Sequence, residues 1–587
     1  MLITTTTEFQ NLMLAMQSSG IIVFDTETTG LNPFKCDKIC GVSIGIPHGG
    51  LLNSWYISFR HETGQNMPLF WLHELLIEIT KPNKTIITWN GKFDFHFVEC
   101  EGVKVRCTHW DAMLAMHLAN ENEFSYELKP LAKKILGEEA VKDEADLKTY
   151  MRSVGIRDSK WKSHLWKLNS ELVAPYAESD VQLAWRMFRI ALTKLKSEVL
   201  DSLYYEISEY GDVTRQMELY GTPVNTQACR EAKLEVELKS RDLLDNIRQR
   251  IVDPFGSMHE SMWEEDYDFN PLSHIHTRRL LGVRSSAREF LEMLPGAQGE
   301  LAKAIIEYRS LIKASSSFYG PFMDGCDVNN RLHPNFKLHG TITGRLSCTN
   351  PNMQAIPRND NQFHLARRMV EAKAGYTLVS ADYSQAELRL LAHYTQDPFM
   401  LNVYREGLDI HQLVADEINI DRQTAKPINF SMVYGAGIPA TMETLKCSEQ
   451  EAEIILNRYH KRIPGIRKLY WKTQNIAKSN GYIKFWTGRR RRYVPALHDQ
   501  HKSMSNLIQG GVAEMMRIAM TKLHYALPND AHMILQVHDE ILVECTEKSV
   551  KQVSKAMKTC METMPFTVPM MTDQKTGNNW KEMEPIT

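Results

Sequence analysis

Short apolar runs alternate with amphipathic stretches over about the first 190 residues of the chain. Ile21–Phe24 and Thr85–Trp89 are short apolar runs of strand length, whereas Ser125–Leu136 and Ala177–Leu192 repeat apolar residues at helical spacing. Strands that alternate with helices predict one α/β domain in this part of the chain.

The pattern changes after this region. A charged helical stretch from Lys194 to Leu219 ends in Gly221-Thr222-Pro223, and residues 226–320 are mostly helical apart from an irregular insertion at Gln249–Asn270. Further along, the pattern predicts a strand at Tyr376–Ala381, a helix at Gln385–Tyr394, helices across residues 411–480 and a hairpin at Ile534–Val543. We place a domain boundary near residues 193–205.

Composition narrows the class of protein. A chain of 587 residues is too long for one hydrophobic core, so two or more domains are expected. The formal net charge is −2, so any nucleic-acid partner must be held by local basic patches. Ten scattered cysteines without a Cys-x-x-Cys predict free thiols in a reducing compartment and no zinc site. With no signal-peptide pattern and no apolar run of membrane-spanning length, we expect a soluble intracellular protein.

Acidic residues follow the predicted strands of the N-terminal region. Asp25 and Glu27 come directly after Ile21–Phe24, and in an extended chain both side chains point to one face. Asp94 follows the second strand, and Tyr176 and Asp180 share one face of a helix because they lie four residues apart. Each feature alone also fits a solvated acid or a packing aromatic. Their occurrence together, in this order, favours a site that binds divalent cations.

This set resembles the 3′–5′ proofreading exonucleases of the Asp-Glu-Asp-Asp type, tyrosine subclass. The resemblance implies a ribonuclease H-like domain in which Asp25, Glu27, Asp94 and Asp180 hold two Mg²⁺ ions. It also implies that Tyr176 orients the attacking water. All five positions are intact, so we expect an active nuclease.

Two distant segments of the C-terminal region also place an aspartate at a strand end. Asp382 ends the strand Tyr376–Ala381, and His538-Asp539-Glu540 forms the tip of the predicted hairpin, where Gly or Asn is the usual choice. Transfer of a nucleotidyl group needs two divalent cations clamped between carboxylates, and one aspartate from each segment suits that clamp.

A third segment combines cations with aromatic residues. Arg422, Lys426, Phe430 and Tyr434 recur every four residues along one helical face. Two cations suit a triphosphate, and two aromatics suit a sugar and a base. An ordinary amphipathic helix with a basic end gives the same pattern.

From about residue 205 to the end, these motifs resemble family A DNA polymerases, the DNA polymerase I family. By that resemblance Asp382 and Asp539 are the essential metal ligands, with the Tyr383 carbonyl as a further ligand and Glu540 as an auxiliary acid. The resemblance also assigns the remaining contacts. Triphosphate contacts are Arg422, Lys426 and His411, with Lys426 protonating the pyrophosphate; Phe430 packs on the deoxyribose, Tyr434 lies near the template base, and Glu387 excludes ribonucleotides. DNA contacts are Arg345 and Gln509 in the minor groove and His538 at the primer end.

The chain departs from that family in the segment with Arg422. Pro427 stands where alanine is usual and Ser431 where glycine is usual, and Gln423 replaces a common arginine. Proline removes a backbone donor, so we expect a kink or a broken turn there. We hypothesise that these changes alter nucleotide selection, including preference for a modified purine, and that Phe430 disfavours dideoxynucleotides.

Two further basic segments are candidates for DNA phosphate contacts. Arg489–Arg492 is the strongest local positive charge, and although a solvated loop is the default interpretation, phosphate contacts are favoured here. Lys303, Arg309 and Lys313 resemble the thumb region that grips the duplex backbone.

Together these observations predict a multidomain α/β and α+β protein. Residues 1–195 are the expected exonuclease domain, and residues 196–587 a right-hand polymerase domain with thumb (about 226–325), palm (about 326–410 and 505–587) and fingers (about 411–504). The expected activity is template-directed DNA synthesis with proofreading, using Mg²⁺ or Mn²⁺, primer–template DNA and dNTPs. We expect a cytoplasmic monomer without membrane contact. We also expect a phage-like protein that lacks the family's 5′-nuclease domain and that can bind replication accessory proteins.

Three other hypotheses remain. The chain is an exonuclease whose C-terminal half only binds nucleic acid, a single-subunit RNA polymerase, or a processivity scaffold without chemistry. The hypothesis of an exonuclease with a binding module is disfavoured by intact Asp382, Lys426 and Asp539. The RNA polymerase hypothesis is disfavoured by Glu387 and the exonuclease motif. The scaffold hypothesis is disfavoured by the number of filled catalytic positions.

Overall fold

A computed structural model describes residues 1–157, 161–252, 269–357 and 364–586. Most of the insertion expected at Gln249–Asn270 therefore lies outside the described residues. No helix in these ranges is both long enough and apolar enough to cross a membrane.

The N-terminal region is built on a six-stranded mixed sheet of order β1-β4-β3-β2-β5-β6. Its strands are β1 Leu2–Ile3, β2 Ile21–Thr28, β3 Ile39–His48, β4 Leu51–Ser58, β5 Thr85–Thr88 and β6 Thr108–Asp111. Its helices are α1 Thr6–Ser18, α2 Leu69–Ile79, α3 Lys92–Cys100, α4 Ala112–Ala119, α5 Leu128–Leu136, α6 Lys142–Ser153 and α7 Ser170–Ser197.

Strand periodicity divides this sheet between two cores. Ile22 and Phe24 of β2 belong to one apolar cluster, whereas Val23 belongs to another, because successive side chains of a strand point to opposite faces. Both faces are buried, which explains why the strand is a continuous apolar run rather than an alternating one. The α/β prediction for this region is confirmed.

Helix α8 (Asp201–Tyr220) follows and packs against both halves of the molecule. Tyr204 donates to the carbonyl of Asp111 at the end of β6, whereas Tyr210 contacts Met520 of the C-terminal half. The apolar cluster that contains Val23 consequently extends without interruption from the first sheet into the C-terminal region.

The region after α8 is mostly helical as far as residue 325, as the pattern predicted. Its helices are α9 Thr226–Val252, α10 His274–Leu281, α11 Arg288–Leu291, α12 Gly296–Ala314 and α13 Gly320–Gly325. Short strands connect this region to the next one: β7 Thr222–Pro223, β8 Arg331–Leu332, β9 Asn335–Lys337 and β10 Ser347–Thr349.

A second sheet lies at the centre of the C-terminal region, in the order β14-β15-β11-β16-β17. Its strands are β11 Tyr376–Tyr383, β14 Ala531–Val537, β15 Glu540–Thr546, β16 Thr572–Gly577 and β17 Glu584–Pro585; a separate hairpin pairs β12 Tyr482–Lys484 with β13 Arg490–Arg492. The helices are α14 His364–Arg368, α15 Ala386–Thr395, α16 Pro398–Arg405, α17 Ile410–Ile418, α18 Arg422–Val433, α19 Ile438–Leu445, α20 Glu449–Arg462, α21 Pro464–Asn480, α22 Ser503–Ala526 and α23 Val550–Glu562. The predicted strand, hairpin and helices are thus all present.

Candidate active sites

Three acids of the N-terminal sheet converge on one point. Carboxylate oxygens of Asp25, Glu27 and Asp180 all lie within 4.8 Å of one another. Asp25 and Glu27 are alternate residues of β2, and Asp180 comes from α7, which packs across that sheet. The common face expected for Asp25 and Glu27 is therefore formed.

Asp94 is attached to this cluster by Thr26. It lies in the first turn of α3, and its Oδ1 accepts hydrogen bonds from the Thr26 backbone N–H at 3.0 Å and from the Thr26 hydroxyl at 2.6 Å. Thr26 faces the opposite side of β2 from its two acidic neighbours. It is a supporting residue that the motif contained but that sequence reasoning did not single out.

Burial and mutual repulsion perturb these carboxyls. Burial raises the pKa of Glu27 to about 8, with repulsion from Asp180 as the next cause. Burial raises the pKa of Asp94 to about 7, and burial followed by repulsion from Asp94, Asp180 and Glu27 raises that of Asp25 well above its ordinary value. Buried acids that repel one another are stabilised by a cation, and an all-oxygen donor set suits Mg²⁺ or Mn²⁺. These residues therefore fit the metal pair that the sequence motif implied.

Tyr176 borders the same cluster, and a lysine joins it there. Tyr176 is buried one helical turn before Asp180, and the Lys129 amine lies 4.7 Å from its ring centroid. Lys129 also forms an ion pair with Asp180 and donates to the Ser179 hydroxyl at 2.6 Å. Sequence reasoning missed Lys129. The only signal available was a lysine within the predicted helix Ser125–Leu136, and a lysine on a helix is usually a surface residue.

Asp382 and Asp539 meet through the register of the central sheet. On adjacent antiparallel strands, Asp382 of β11 lies directly opposite Glu540 of β15. The Tyr383 N–H donates to the Asp539 carbonyl at 3.1 Å. Two segments about 157 residues apart in the chain are thereby brought to the same edge of one sheet.

The hairpin that carries Asp539 has a strained tip. Val537 pairs with Glu540, so His538 and Asp539 form a two-residue turn, and His538 has a φ of 56°. A non-glycine residue in this left-handed region costs on the order of 1–2 kcal/mol, and such strain collects at functional sites. The unusual turn expected from the sequence is therefore present, and packing of the two buried strands holds it.

Two neighbours of Asp382 complete this edge. The Glu540 carboxylate accepts from the Trp580 indole N–H at 3.1 Å and lies 3.5 Å from Arg367, so it is held within the fold. On the other side of β11, Asp573 lies directly opposite Asp382. Directly opposed residues share one face of a sheet, so Asp573 is a fourth acid at this edge, after Asp382, Asp539 and Glu540, that the sequence gave no reason to select.

The segment with the predicted triphosphate contacts forms helix α18. Lys426 is exposed on it, whereas Tyr434 caps the helix end. Arg422 pairs with Asp409 at 2.6 Å, and Asp409 in turn caps α17 by accepting from the His411 N–H at 2.9 Å. Asp409 had not been singled out from the sequence.

His411 and Phe430 lie beside each other on these two helices. His411 is buried, its ring centroid lies 5.9 Å from that of Phe430, and its Nδ1 lies 2.9 Å from the Asn429 amide. Burial lowers the pKa of His411. His411 thus lies near both residues: its N–H shares Asp409 with Arg422 at the start of α18, and its ring lies near Phe430 in the last turn of that helix.

The broken turn expected as one alternative at Pro427 is absent, whereas the kink stays a prediction. Helix α18 continues without interruption from Arg422 to Val433 through the exposed Pro427. The Asp421 side chain caps its first turn by accepting from the Thr424 N–H, and the buried residues Ile428 and Met432 anchor it in the core. Packing and capping outweigh the loss of one backbone hydrogen bond.

Glu387 links α15 to the end of α18. Its carboxylate accepts from the Tyr434 hydroxyl at 2.9 Å and pairs with Arg345 at 2.6 Å. Gln509 of α22 also contacts the Tyr434 hydroxyl. Arg345 and His538 line one small cavity, so these two predicted DNA-contacting residues lie close together.

Comparisons with known proteins agree with this arrangement. A family model described as DNA polymerase family A matches residues 266–582, which is more than half of the chain, and one described as 3′-5′ exonuclease matches residues 1–196. The chain belongs to DNA polymerase family A.

Individual relatives of this family A chain are DNA polymerases I. That of Chloroflexus aurantiacus is 27% identical over 612 residues, covering 99% of this chain and 63% of the relative. The thermostable enzyme of Thermus filiformis is 32% identical over 423 residues, which cover 68% of this chain and 50% of the relative. The chain thus spans less than two thirds of the length of these relatives. The fold is also similar to a solved structure, the POL domain of Pol1 from M. smegmatis in complex with DNA primer-template and dNTP, with a TM-score of 0.80, 19% identity and 99% of both chains covered.

The arginine run of this family A chain does not face DNA as expected. Arg491 is 2% exposed and pairs with Glu121 and Asp499, at 3.4 and 3.0 Å. Arg492 pairs with Glu121 at 2.7 Å and also with Glu198. Further pairs are Arg489 with Glu514 and Arg490 with Glu198. We refer to Arg489–Arg492 with Glu121, Glu198, Asp499 and Glu514 as the arginine cluster. The phosphate-contact prediction is wrong, because Glu121 of the exonuclease region, Glu198 after α7, Asp499 and Glu514 of α22 neutralise these arginines.

One residue of the predicted thumb grip also has a different role. The Arg309 guanidinium donates to the carbonyls of Pro271 and Ser286, at 2.7 and 2.9 Å, and to the Thr277 hydroxyl at 2.7 Å. It therefore ties segments of this helical region together. Lys303 and Lys313 are exposed, the first within α12 and the second near its C-terminal end. Their contact with DNA phosphates stays a prediction.

Proposed function

We propose that this chain is a template-directed DNA polymerase that also removes nucleotides from primer 3′ ends. The observation that supports the proposal is the register that brings Asp382 and Asp539 to one edge of the central sheet, together with the exposed cations Arg422 and Lys426 on α18. Acids that hold cations, and cations that hold a triphosphate, are the two charge sets that nucleotidyl transfer needs.

In the polymerase site, Asp382 and Asp539 would hold two Mg²⁺ ions. When bound, these ions neutralise charge on the reacting phosphates and favour the ionised primer hydroxyl. Arg422 and Lys426 bind the triphosphate, with Lys426 placed to give a proton to the departing pyrophosphate. Phe430 packs against the sugar of the nucleotide, and catalysis is chiefly positioning and charge stabilisation.

Selection of the sugar and of a paired primer end belongs to the surface around Glu387. The ion pair with Arg345 and the hydrogen bond from Tyr434 hold the Glu387 carboxylate in place, so that it fills the space a ribose 2′-hydroxyl would need. Arg345, Gln509 and His538 contact the duplex next to the primer end.

In the exonuclease site, Asp25, Glu27, Asp94 and Asp180 would hold the metal pair, again Mg²⁺ with Mn²⁺ as an alternative. Tyr176, held in the core beside Lys129, orients the attacking water through its hydroxyl. A mismatched primer end frays readily and reaches this separate site as a single strand, which would give proofreading.

The test is extension of a 5′-labelled primer on a template with Mg²⁺, with and without dNTPs. Asp382→Asn should abolish growth while leaving shortening intact, and Asp25→Asn should do the reverse. Both changes remove a charge and keep the side-chain shape, and thermal unfolding of each variant verifies folding. Shortening without any growth in the unaltered protein would refute the polymerase proposal and favour an exonuclease with a nucleic-acid-binding module.

A further inference from the structure

A histidine of the exonuclease region contacts the loop that carries Arg345. His117 lies on α4 and is buried, and its Nε2 lies 3.1 Å from the carbonyl oxygen of Thr341. Thr341 and Arg345 both belong to the loop that joins β9 to β10, which we call the β9–β10 loop. The mechanism proposed for either site makes no use of His117, yet this residue contacts a loop 224 residues further along the chain.

The surroundings of His117 determine which of its ring nitrogens carries the proton. Its Nδ1 lies 3.5 Å from the Arg489 guanidinium, and a guanidinium can only donate. Nδ1 therefore accepts, and the Nε2–H donates to the Thr341 carbonyl, which can only accept. Burial, followed by the charges of Arg489 and His339, lowers the pKa of His117, so the ring stays neutral. His117 is thus a fixed hydrogen-bond donor to the β9–β10 loop.

Arg489 holds the same loop at a second point. Gly344 has a φ of 84°, and a Cβ added to it would lie 2.5 Å from a nitrogen of the Arg489 guanidinium. Glu514 of α22 pairs with that guanidinium at 3.0 Å, and both side chains are buried. The β9–β10 loop is therefore fixed at Thr341 by the His117 hydrogen bond and at Gly344 by close packing against a buried ion pair.

Polar contacts continue from this loop to the proposed polymerase site. The Thr341 hydroxyl donates to the Arg345 carbonyl at 2.8 Å. The Arg345 guanidinium pairs with Glu387 at 2.6 Å, and the Glu387 carboxylate accepts from the Tyr434 hydroxyl at 2.9 Å. His117 and Glu387 are thus connected through two residues, Thr341 and Arg345, by direct hydrogen bonds and one ion pair.

We propose that His117 of the exonuclease region is a positioning residue for sugar selection in the polymerase site. By fixing the β9–β10 loop it sets where the Arg345 guanidinium lies, and the guanidinium in turn holds the Glu387 carboxylate. Steric exclusion of a ribose 2′-hydroxyl depends on the position of that carboxylate, and small displacements of a positioned group have large effects on rate. This inference rests on the proposed polymerase function, since selection of a sugar requires that nucleotides are added.

The test measures the ratio of kcat/KM for a dNTP to kcat/KM for the matching rNTP. Single-nucleotide primer extension supplies both values, with Asp25→Asn in every variant to remove primer shortening. His117→Leu cannot donate and should lower the ratio roughly 2- to 10-fold, the effect of losing one ordinary hydrogen bond. His117→Gln, whose amide nitrogen replaces Nε2 as the donor, should retain most of the ratio. Thr341→Val should lower it by a similar factor, whereas Thr341→Ser, which keeps the hydroxyl, should not.

A combined variant separates positioning from a general loosening of the fold. Once Glu387→Ala has removed the excluding side chain, adding His117→Leu should change the ratio no further, because both act through one carboxylate. The matched control is Asn122→Ala, which removes hydrogen bonds from the exonuclease region to Arg491 and Arg492 instead. This control should leave the ratio unchanged. Primer shortening by His117→Leu in the otherwise unaltered chain should also be unchanged.

Three outcomes would overturn the inference. They are an unchanged ratio in His117→Leu, an equal loss of kcat/KM for both sugars, and a further fall when His117→Leu is added to Glu387→Ala. Thermal unfolding verifies folding, and if His117→Leu does not fold, the comparison of Thr341→Val with Thr341→Ser decides in its place. A failed inference leaves primer extension and its selectivity intact, whereas a failed polymerase proposal shows as absent extension by the unaltered protein.

Discussion

Removing the carboxylate of Glu121 should destabilise the contact between the exonuclease region and the β12–β13 hairpin. Glu121 is buried, and it accepts from Arg492 at 2.7 Å, from the Arg492 backbone N–H, and from Arg491 at 3.4 Å. Glu121→Ala would leave the buried guanidinium of Arg491 and the partly buried guanidinium of Arg492 with one fewer counter-charge each. Neither candidate active site contains Glu121, so both activities should persist where the protein remains folded.

The structure limits the size of the effect. Breaking a buried ion pair by removing one partner costs about 3–5 kcal/mol, because the remaining charge stays desolvated. Arg491 keeps Asp499 at 3.0 Å, and Arg492 keeps Glu198. Because each arginine retains one acid, the lower end of the range applies, and we expect a loss of about 3 kcal/mol in the free energy of unfolding.

Urea unfolding followed by tryptophan fluorescence measures this loss, and amide hydrogen exchange at Arg490–Arg492 locates it. A large multidomain chain need not unfold in one step, so exchange tests whether the hairpin opens before the rest. The matched control is Glu292→Ala, which removes an exposed partner of Arg288 on α11. An exposed pair of this kind contributes about 0–1 kcal/mol.

The reasoning would be refuted if Glu121→Ala cost no more than the Glu292→Ala control. Unchanged hydrogen exchange at β13 would contradict it equally, since the loss should be local. Reduced affinity for duplex DNA in a fully stable Arg491→Gln variant would instead restore the phosphate-contact interpretation of this run.

Three further predictions concern the two candidate sites. Burial raises the pKa of Glu27 to about 8 and that of Asp94 to about 7, so the metal-free folded state holds protons that the unfolded state releases above about pH 5. The melting temperature in EDTA should therefore fall as pH rises from about 6 to about 9. Excess Mg²⁺ should reduce this fall. A flat profile would contradict this. Lys129→Met should shift the acidic limb of the exonuclease pH–rate profile to higher pH, since the Lys129 charge lowers the pKa of Glu27, whereas the exposed Lys134→Met on the same helix should not. Glu387→Ala should increase ribonucleotide incorporation relative to deoxynucleotides at least several-fold, whereas Glu387→Gln, which keeps the bulk, should not; equal behaviour of the two variants would argue against steric exclusion.

Local chemistry made several elements predictable. The apolar run before Asp25, the spacing of Tyr176 and Asp180, and the hairpin around Asp539 all follow from periodicities of two and 3.6 residues, which depend only on backbone geometry. The structure realises each of them. Pro427 shows the limit of such reasoning, because a single backbone hydrogen bond is a smaller contribution than the packing that a buried helix face provides.

Partners that are distant in sequence had to come from the tertiary structure. Lysine is usually exposed, so nothing local distinguishes Lys129, whose amine is buried against Asp180, from Lys134, which lies 64% exposed on the same helix. The arginine cluster also depends on partners that are distant in sequence, and here those partners contradict the prediction made from the sequence. Its acids come from segments up to 371 residues away.

The sequence by itself determined which residue types stand at strand ends and on helix faces, and with them the two acidic motifs and the cationic helix. Only the tertiary structure decided which charges meet: Arg422 pairs with Asp409, Arg345 pairs with Glu387, and Asp573 lies beside Asp382. The physical reason is that burial and Coulomb interactions depend on distance in space. Chain order sets the first neighbours of a residue, but folding sets the charges that it meets.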